Sequence, residues 1–139
     1  MTEGIINSPR APEPVGAYPH ARRAGNFLYI SGVGPRERNS KTIPGVALNP
    51  DGSIAEYDIT VQTLSVFRNI RYIVEDAGAS WGDIIDVTVF LTNMKRDFPT
   101  FNKLYAEHFG GVNCCRTTVE INALPTPIAI ELKVIATIP

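Results

Sequence analysis

The sequence predicts an α+β domain in which two helices cover one face of a mixed β-sheet. Three observations lead there. Residues 59–77 and 98–109 repeat apolar side chains every three or four positions, the period of an amphipathic helix. Residues 27–32, 85–92 and 128–137 are β-rich or alternate between apolar and polar, the period of a strand. Finally, a chain of 139 residues buries roughly 68% of its unfolded surface, enough for one core, so 1–139 reads as a single domain.

Each element has its own signature. Residues 1–16 are rich in Pro and Gly and read as a surface wrap. Phe27-Leu28-Tyr29-Ile30-Ser31-Gly32 is a buried strand stopped by Gly32 and Gly34. Residues 33–55 read as a long loop with a tight turn at Asp51-Gly52, and so long a loop in a small domain points to function or to disorder. In the first helix Ile59, Thr63, Val66, Phe67, Ile70, Ile73, Val74 and Ala77 share a face, and Gly78 stops it. Ser80 and Asp83 cap a short turn. Ile85, Val87, Val89 and Leu91 then form the apolar face of a strand. The second helix carries Pro99 in its first turn, places Phe101, Leu104, Tyr105 and His108 on one side, and ends at Gly110-Gly111. Strands at 115–122 and 128–137 follow, joined by residues 123–127. In the last strand Ile128, Ile130, Leu132, Val134 and Ala136 point one way. Ala129, Glu131, Lys133, Ile135 and Thr137 point the other way, and that half-apolar set predicts that another subunit covers the helix-free face.

Charge and composition narrow the function. The 13 basic and 14 acidic side chains give a net charge of −1, without the basic excess that nucleic acid demands. Six basic against three acidic residues lie in 1–49, a mild skew that suits an anion. No apolar run approaches membrane-spanning length, and the N-terminus lacks the regions of a signal peptide. Cys114 and Cys115 are adjacent, do not readily bridge each other and read as small buried hydrophobes, which predicts a reducing cytoplasm. His20 and His108 lack ligand spacing, so no metal site is expected. His20 reads as exposed, His108 as a complement to its helix dipole, and Trp81 as packed under the preceding loop.

Nucleotide, metalloprotease and hydrolase-elbow motifs do not occur. What stands out is a pair of charged residues on the last two strands. Were those strands neighbours, Arg116 and Glu131 would face each other, as an ordinary salt bridge or as a carboxylate clamp beside a proton carrier.

At these residues the chain resembles the reactive-intermediate deaminase family, also called Rid or YjgF. The matching segments are Gly16-Ala17-Tyr18, Asn26-Phe27-Leu28-Tyr29-Ile30-Ser31-Gly32, Glu75-Asp76-Ala77-Gly78-Ala79 and Asp86-Val87-Thr88-Val89-Phe90-Leu91. Phe101-Asn102-Lys103-Leu104-Tyr105 follows, and then the block Arg116-Thr117-Thr118-Val119-Glu120, Leu124-Pro125 and Ile130-Glu131. The resemblance implies a chorismate-mutase-like fold and a homotrimer, alone or as a dimer of trimers, whose sheets form a central barrel, with active sites in clefts between subunits. It implies that Arg116 holds a substrate carboxylate, that Glu131 handles the water that hydrolyses an imine, and that Tyr18 and Ser31 line the pocket. No metal or other cofactor is implied. Thr118 stands where many members have cysteine, so no thiol chemistry carries over there.

The extended loop with Arg36, Arg38 and Lys41 looks more like the 2-aminomuconate deaminase branch, which implies conversion of that enamine to 4-oxalocrotonate and ammonia in the breakdown of aromatic compounds. A substrate with two carboxylates needs a second cation. Arg36, Arg38 or Lys41 is the expected partner, ahead of Arg22 or His20, while backbone donors near Ser31 and Thr118 are expected to support developing charge. The alternatives are a broad 2-imino-acid deaminase and a trimeric protein that binds small carboxylates without turnover.

Overall fold

The computed structural model describes residues 3–139, so the first two positions of the N-terminal segment lie outside the described residues. In chain order the elements are β1 (Ile5–Ile6), β2 (Ala21–Ala24), β3 (Phe27–Val33), β4 (Val46–Leu48), β5 (Ile54–Tyr57), α1 (Ile59–Asp76), β6 (Ile84–Leu91), α2 (Met94–Phe109), β7 (Cys115–Glu120) and β8 (Ile130–Thr137). Six strands form one sheet in the order β1-β2-β3-β8-β6-β7, while β4 and β5 form a separate hairpin. Every pairing in the large sheet is antiparallel except β6 with β7. The α+β prediction of two helices on a mixed sheet holds.

The helices form where apolar periodicity meets a cap. Asp58 caps α1, its Oδ1 accepting from the Thr60 N–H at 2.9 Å and the Val61 N–H at 3.2 Å. Gly78 leaves the helix at φ +91°, a left-handed conformation that favours glycine. Val66, Ile70, Ile73 and Val74 of α1 pack on Leu28, Ile30, Val89, Leu132 and Val134 of the sheet, all buried. Trp81 lies in a short 3₁₀ turn, packs against Phe67 and Phe109, and donates its indole N–H to the His108 carbonyl at 2.8 Å.

Several local expectations are corrected. The second helix starts at Met94, one turn before the expected Phe98, because Asn93 caps it and the Glu120 carboxylate accepts from the Met94 N–H at 2.8 Å. Pro99 therefore sits in the second turn. In β6 a bulge against β8 sends Ile85 outward and puts Ile84 into the core instead. The loop at 33–55 contains the β4–β5 hairpin, with the expected turn at Gly52. The N-terminal segment runs over the surface and is tied down: Ser8 and Ala11 are buried, and β1 extends the sheet.

The last two strands are not neighbours. Strand β6 lies between β7 and β8, so the expected pairing of Arg116 with Glu131 does not occur. Arg116 stands opposite Val87, a core residue on the helix-covered face, whereas Glu131 stands opposite Phe90 on the bare face. Within one chain the two residues point to opposite sides of the sheet.

Candidate functional site

Glu131 is seated by a distortion of the sheet. Between Ile30 and Val33, β3 carries one residue more than β8 opposite it, so Ser31 and Gly32 together face Lys133. This bulge brings the Gly32 backbone against the Glu131 carboxyl, where a Cβ would collide with Oε1. Only glycine leaves that seat open. Among the described residues the Glu131 carboxyl has no hydrogen-bond partner, and burial holds its pKa above the ordinary carboxylate range, with the Arg36 charge opposing the shift. Lys133, two residues on, donates to the Ile30 carbonyl at 2.5 Å at the start of the bulge, and burial lowers its pKa.

Beside this bulge a small cleft is lined by Tyr18, His20, Ser31, Gly32 and Arg36. Ser31 donates its hydroxyl to the Pro19 carbonyl at 2.8 Å and its N–H to the His20 carbonyl at 2.9 Å, which ties the Tyr18 segment to β3. That N–H is therefore committed and is no free donor for developing charge. The Tyr18 hydroxyl accepts from the Val15 N–H at 3.3 Å, and its ring is half-exposed at the cleft.

His20 is buried rather than exposed. Its Nδ1 accepts from the Ser8 N–H at 2.8 Å, so its proton is on Nε2, which bonds the Pro12 carbonyl at 2.7 Å. Residues 8–12, the strap that His20 holds at both ends, are also tied to α1. Ser8 Oγ donates to Asp76 at 2.6 Å, and Arg10 grips the same carboxylate at 2.7 and 3.2 Å. These bonds hold the Asp76 pKa below its ordinary value, the Arg10 bond contributing most.

The basic loop splits its roles. Arg36 lines the cleft and spends one N–H on the Glu13 carbonyl at 2.8 Å. Arg38 instead pins the strap, donating to the Ala11 carbonyl at 2.7 Å and the Ser8 carbonyl at 3.4 Å. Lys41 lies in a separate shallow groove reached past Arg36. Asn69 of α1 holds the loop in place through the Gly34 and Arg36 carbonyls at 2.9 and 2.7 Å.

Arg116 occupies a different place. It lies on edge strand β7 under α2, where its Nη1 donates to Asn102 Oδ1 at 2.9 Å and its Cζ stacks 4.6 Å from the Tyr105 ring centroid. Thr118, two residues along the same face, has a buried hydroxyl with no partner among the described residues. Cys114 meets the Tyr105 hydroxyl at 3.1 Å, while Cys115 is exposed opposite Asp86 on the bare face. The two thiols thus flank opposite sides of the sheet and are both free.

The candidate residues fall into two separate groups. Tyr18, Ser31 and Arg36 line the cleft with Glu131 beside it at Gly32, and Arg116 and Thr118 lie together on the other face of the sheet. The cleft itself encloses about 30 Å³, room for about one or two waters. Gly32, Lys133 and Asn102 escaped the sequence reading of the site; the glycine was legible as a strand stop, but not as the seat of a carboxylate. No group of three or more His, Cys, Asp or Glu among the described residues is placed to hold a metal ion.

Comparison with known proteins places the fold and the chain. The family described as Endoribonuclease L-PSP matches residues 8–138. A RutC family protein of Pyrococcus horikoshii is 40% identical over 132 residues, covering 95% of each chain. A protein of Dermatophagoides farinae named 2-iminobutanoate/2-iminopropanoate deaminase is 31% identical over 135 residues, covering 96% of this chain and 95% of its own. Among solved structures, Escherichia coli TdcF with bound serine superposes with a TM-score of 0.81 at 30% identity, covering 97% of this chain and 98% of that one. With a family match across nearly its whole length and relatives of this identity, the chain belongs to the Rid/YjgF (RutC, L-PSP) family.

Proposed function

We propose that this protein is a hydrolytic enamine/imine deaminase acting on a small carboxylate, with 2-aminomuconate as the substrate, and that it works as a homotrimer. The observation that carries the reading is the Glu131 carboxyl, held over Gly32 beside the cleft with its lone pairs free and its proton affinity raised. The deaminase name of the mite relative and the serine bound in TdcF support a ligand bearing nitrogen and a carboxylate. A net charge of −1 supports a small anion over nucleic acid as the ligand.

Self-association supplies what one chain lacks. Arg116 sits on an unpaired edge strand, and the bare face exposes Phe27, Tyr29 and Val119. In the proposed assembly the Arg116 of one chain reaches the Glu131 cleft of the next. The arginine clamps the carboxylate beside the imine carbon. Glu131 takes a proton from water as the water oxygen bonds to that carbon and passes it to the nitrogen, giving a carbinolamine. A second transfer through Glu131, from the new hydroxyl to the nitrogen, breaks the C–N bond as the carbonyl forms. Imine and water become keto acid and ammonia.

Arg36 is the loop cation that lines the cleft and is therefore our partner for the distal carboxylate. The broad 2-imino-acid deaminase is the second reading, favoured by the mite relative's name. Ammonia release from enzymatically generated 2-aminomuconate, set against release from 2-iminopropanoate, separates the two. The proposal expects preference for the dicarboxylate and selective loss of that preference in Arg36→Ala. Equal rates on both compounds would favour the broad enzyme. Tight binding of a keto acid with no ammonia release from either compound would instead establish a binding protein.

A further inference from the structure

We infer that Asn102 is a positioning residue that fixes the docking edge of Arg116, so that the substrate carboxylate meets the guanidinium side-on, in its plane and above the Tyr105 ring. The inference rests on the reading that Arg116 takes that carboxylate. A free arginine samples many rotamers, and ordering such a side chain at an interface costs about 0.5–1.5 kcal/mol. Here the ordering is done beforehand. Asn102 and Tyr105 lie three residues apart on one face of α2. Asn102 Oδ1 anchors Nη1 at 2.9 Å, and the Tyr105 ring supports the guanidinium plane with Cζ 4.6 Å from its centroid. Phe98 and Phe101 stand at 5.7 and 5.8 Å.

The support is itself rigid. Tyr105 stacks on Phe109 with centroids 4.4 Å apart and planes 12° from parallel, and its hydroxyl meets Cys114. With Nη1 anchored, the Nε–Nη2 edge carries no bond among the described residues. That edge offers two parallel N–H donors to a carboxylate.

The identity of residue 102 matters as much as its place. An asparagine oxygen orients the arginine without neutralising it, whereas an aspartate would occupy it as a competing carboxylate. Asn102 is exposed at the helix surface, so its replacement leaves the core untouched.

The test is steady-state imine hydrolysis by Asn102→Ala and Asn102→Asp, with thermal unfolding measured in parallel and Arg116→Ala as a reference. Asn102→Ala is expected to raise KM about three- to tenfold, the loss of one pre-ordered side chain, with kcat nearly unchanged. Asn102→Asp is expected to raise KM by at least about a further tenfold through carboxylate competition. Both are expected to unfold at the wild-type temperature. An unchanged KM in both variants, or a fall in kcat and unfolding temperature together, overturns the inference. If Arg116→Ala also leaves KM unchanged, the underlying reading of Arg116 fails as well; if it abolishes binding while both Asn102 variants are silent, only the positioning role fails.

Discussion

Glu131 sits where burial raises its pKa, so it binds its proton more tightly in the folded chain than in the unfolded one. The sign of the consequence is fixed by linkage. Between the unfolded carboxylate value and the raised folded one, stability falls as pH rises, because the folded state must release a proton that it holds. Glu131→Gln keeps the shape and removes the charge. It is expected to abolish deamination yet unfold at a higher temperature than wild type at neutral pH, with the gain disappearing toward acid pH; differential scanning calorimetry across pH checks this. The acid limb of kcat/KM is expected above the ordinary carboxylate range, since the water-activating form is the ionised one. Gly32→Ala gives a complementary test. Its Cβ would evict the carboxyl from its seat, and a fall in kcat of at least about tenfold is expected, following the sensitivity of proton transfer to placement. Wild-type kcat in that variant would show that the seat is irrelevant to turnover.

How much of this could be read beforehand depends on whether the information is local. Helix α1 announced itself because its apolar period and Gly78 stop are properties of a single stretch of chain. The polar first turn of α2 hid its true start, and Pro99 pulled the expected boundary forward. Short β4 and β5, with no strong alternation, stayed concealed in a loop. The insertion of β6 between β7 and β8 depends on which strands pair, and no window of sequence encodes that. For the same reason Glu131 and Arg116 could be picked as chemical candidates while their faces could not be assigned. His20 looked exposed because its partners, Ser8 and Pro12, satisfy it through main-chain atoms that a sequence does not display. The contact between the hairpin and α2 is the one to test at this scale. Tyr57 donates to the buried Asp97 carboxylate at 2.5 Å, joining the hairpin to α2, and burial with that bond pushes the Tyr57 pKa up to about 12. Tyr57→Phe leaves a buried carboxylate short of a donor and is expected to lower stability by about 1–3 kcal/mol in urea unfolding. A cost near zero would mean that the hairpin contributes nothing through this bond.

The whole molecule is a sheet with one face sealed by helices and the other left with Phe27 and Tyr29 each 44% exposed. A trimer of the 15.2 kDa chain is the proposed answer to that face. Light scattering is expected to return about three times the chain mass. Val119→Asp, placing a charge on the bare face of the edge strand, is expected to reduce that mass to the single chain and to remove activity together with it. Full activity in a monomeric Val119→Asp would sever the link between assembly and catalysis.

Placing β6 between β7 and β8 has a genetic consequence. In the proposed trimer, a chain with its arginine on one edge and its glutamate on the opposite face owns no active site of its own; it would lend one half to each of two neighbours. Two inactive variants, Arg116→Ala and Glu131→Gln, should therefore complement each other when refolded together. Random mixing pairs an intact arginine with an intact glutamate in about one site in four. By the same reasoning, a defective copy expressed beside a sound one spoils sites that it does not complete, so damage to one allele is shared by the products of both.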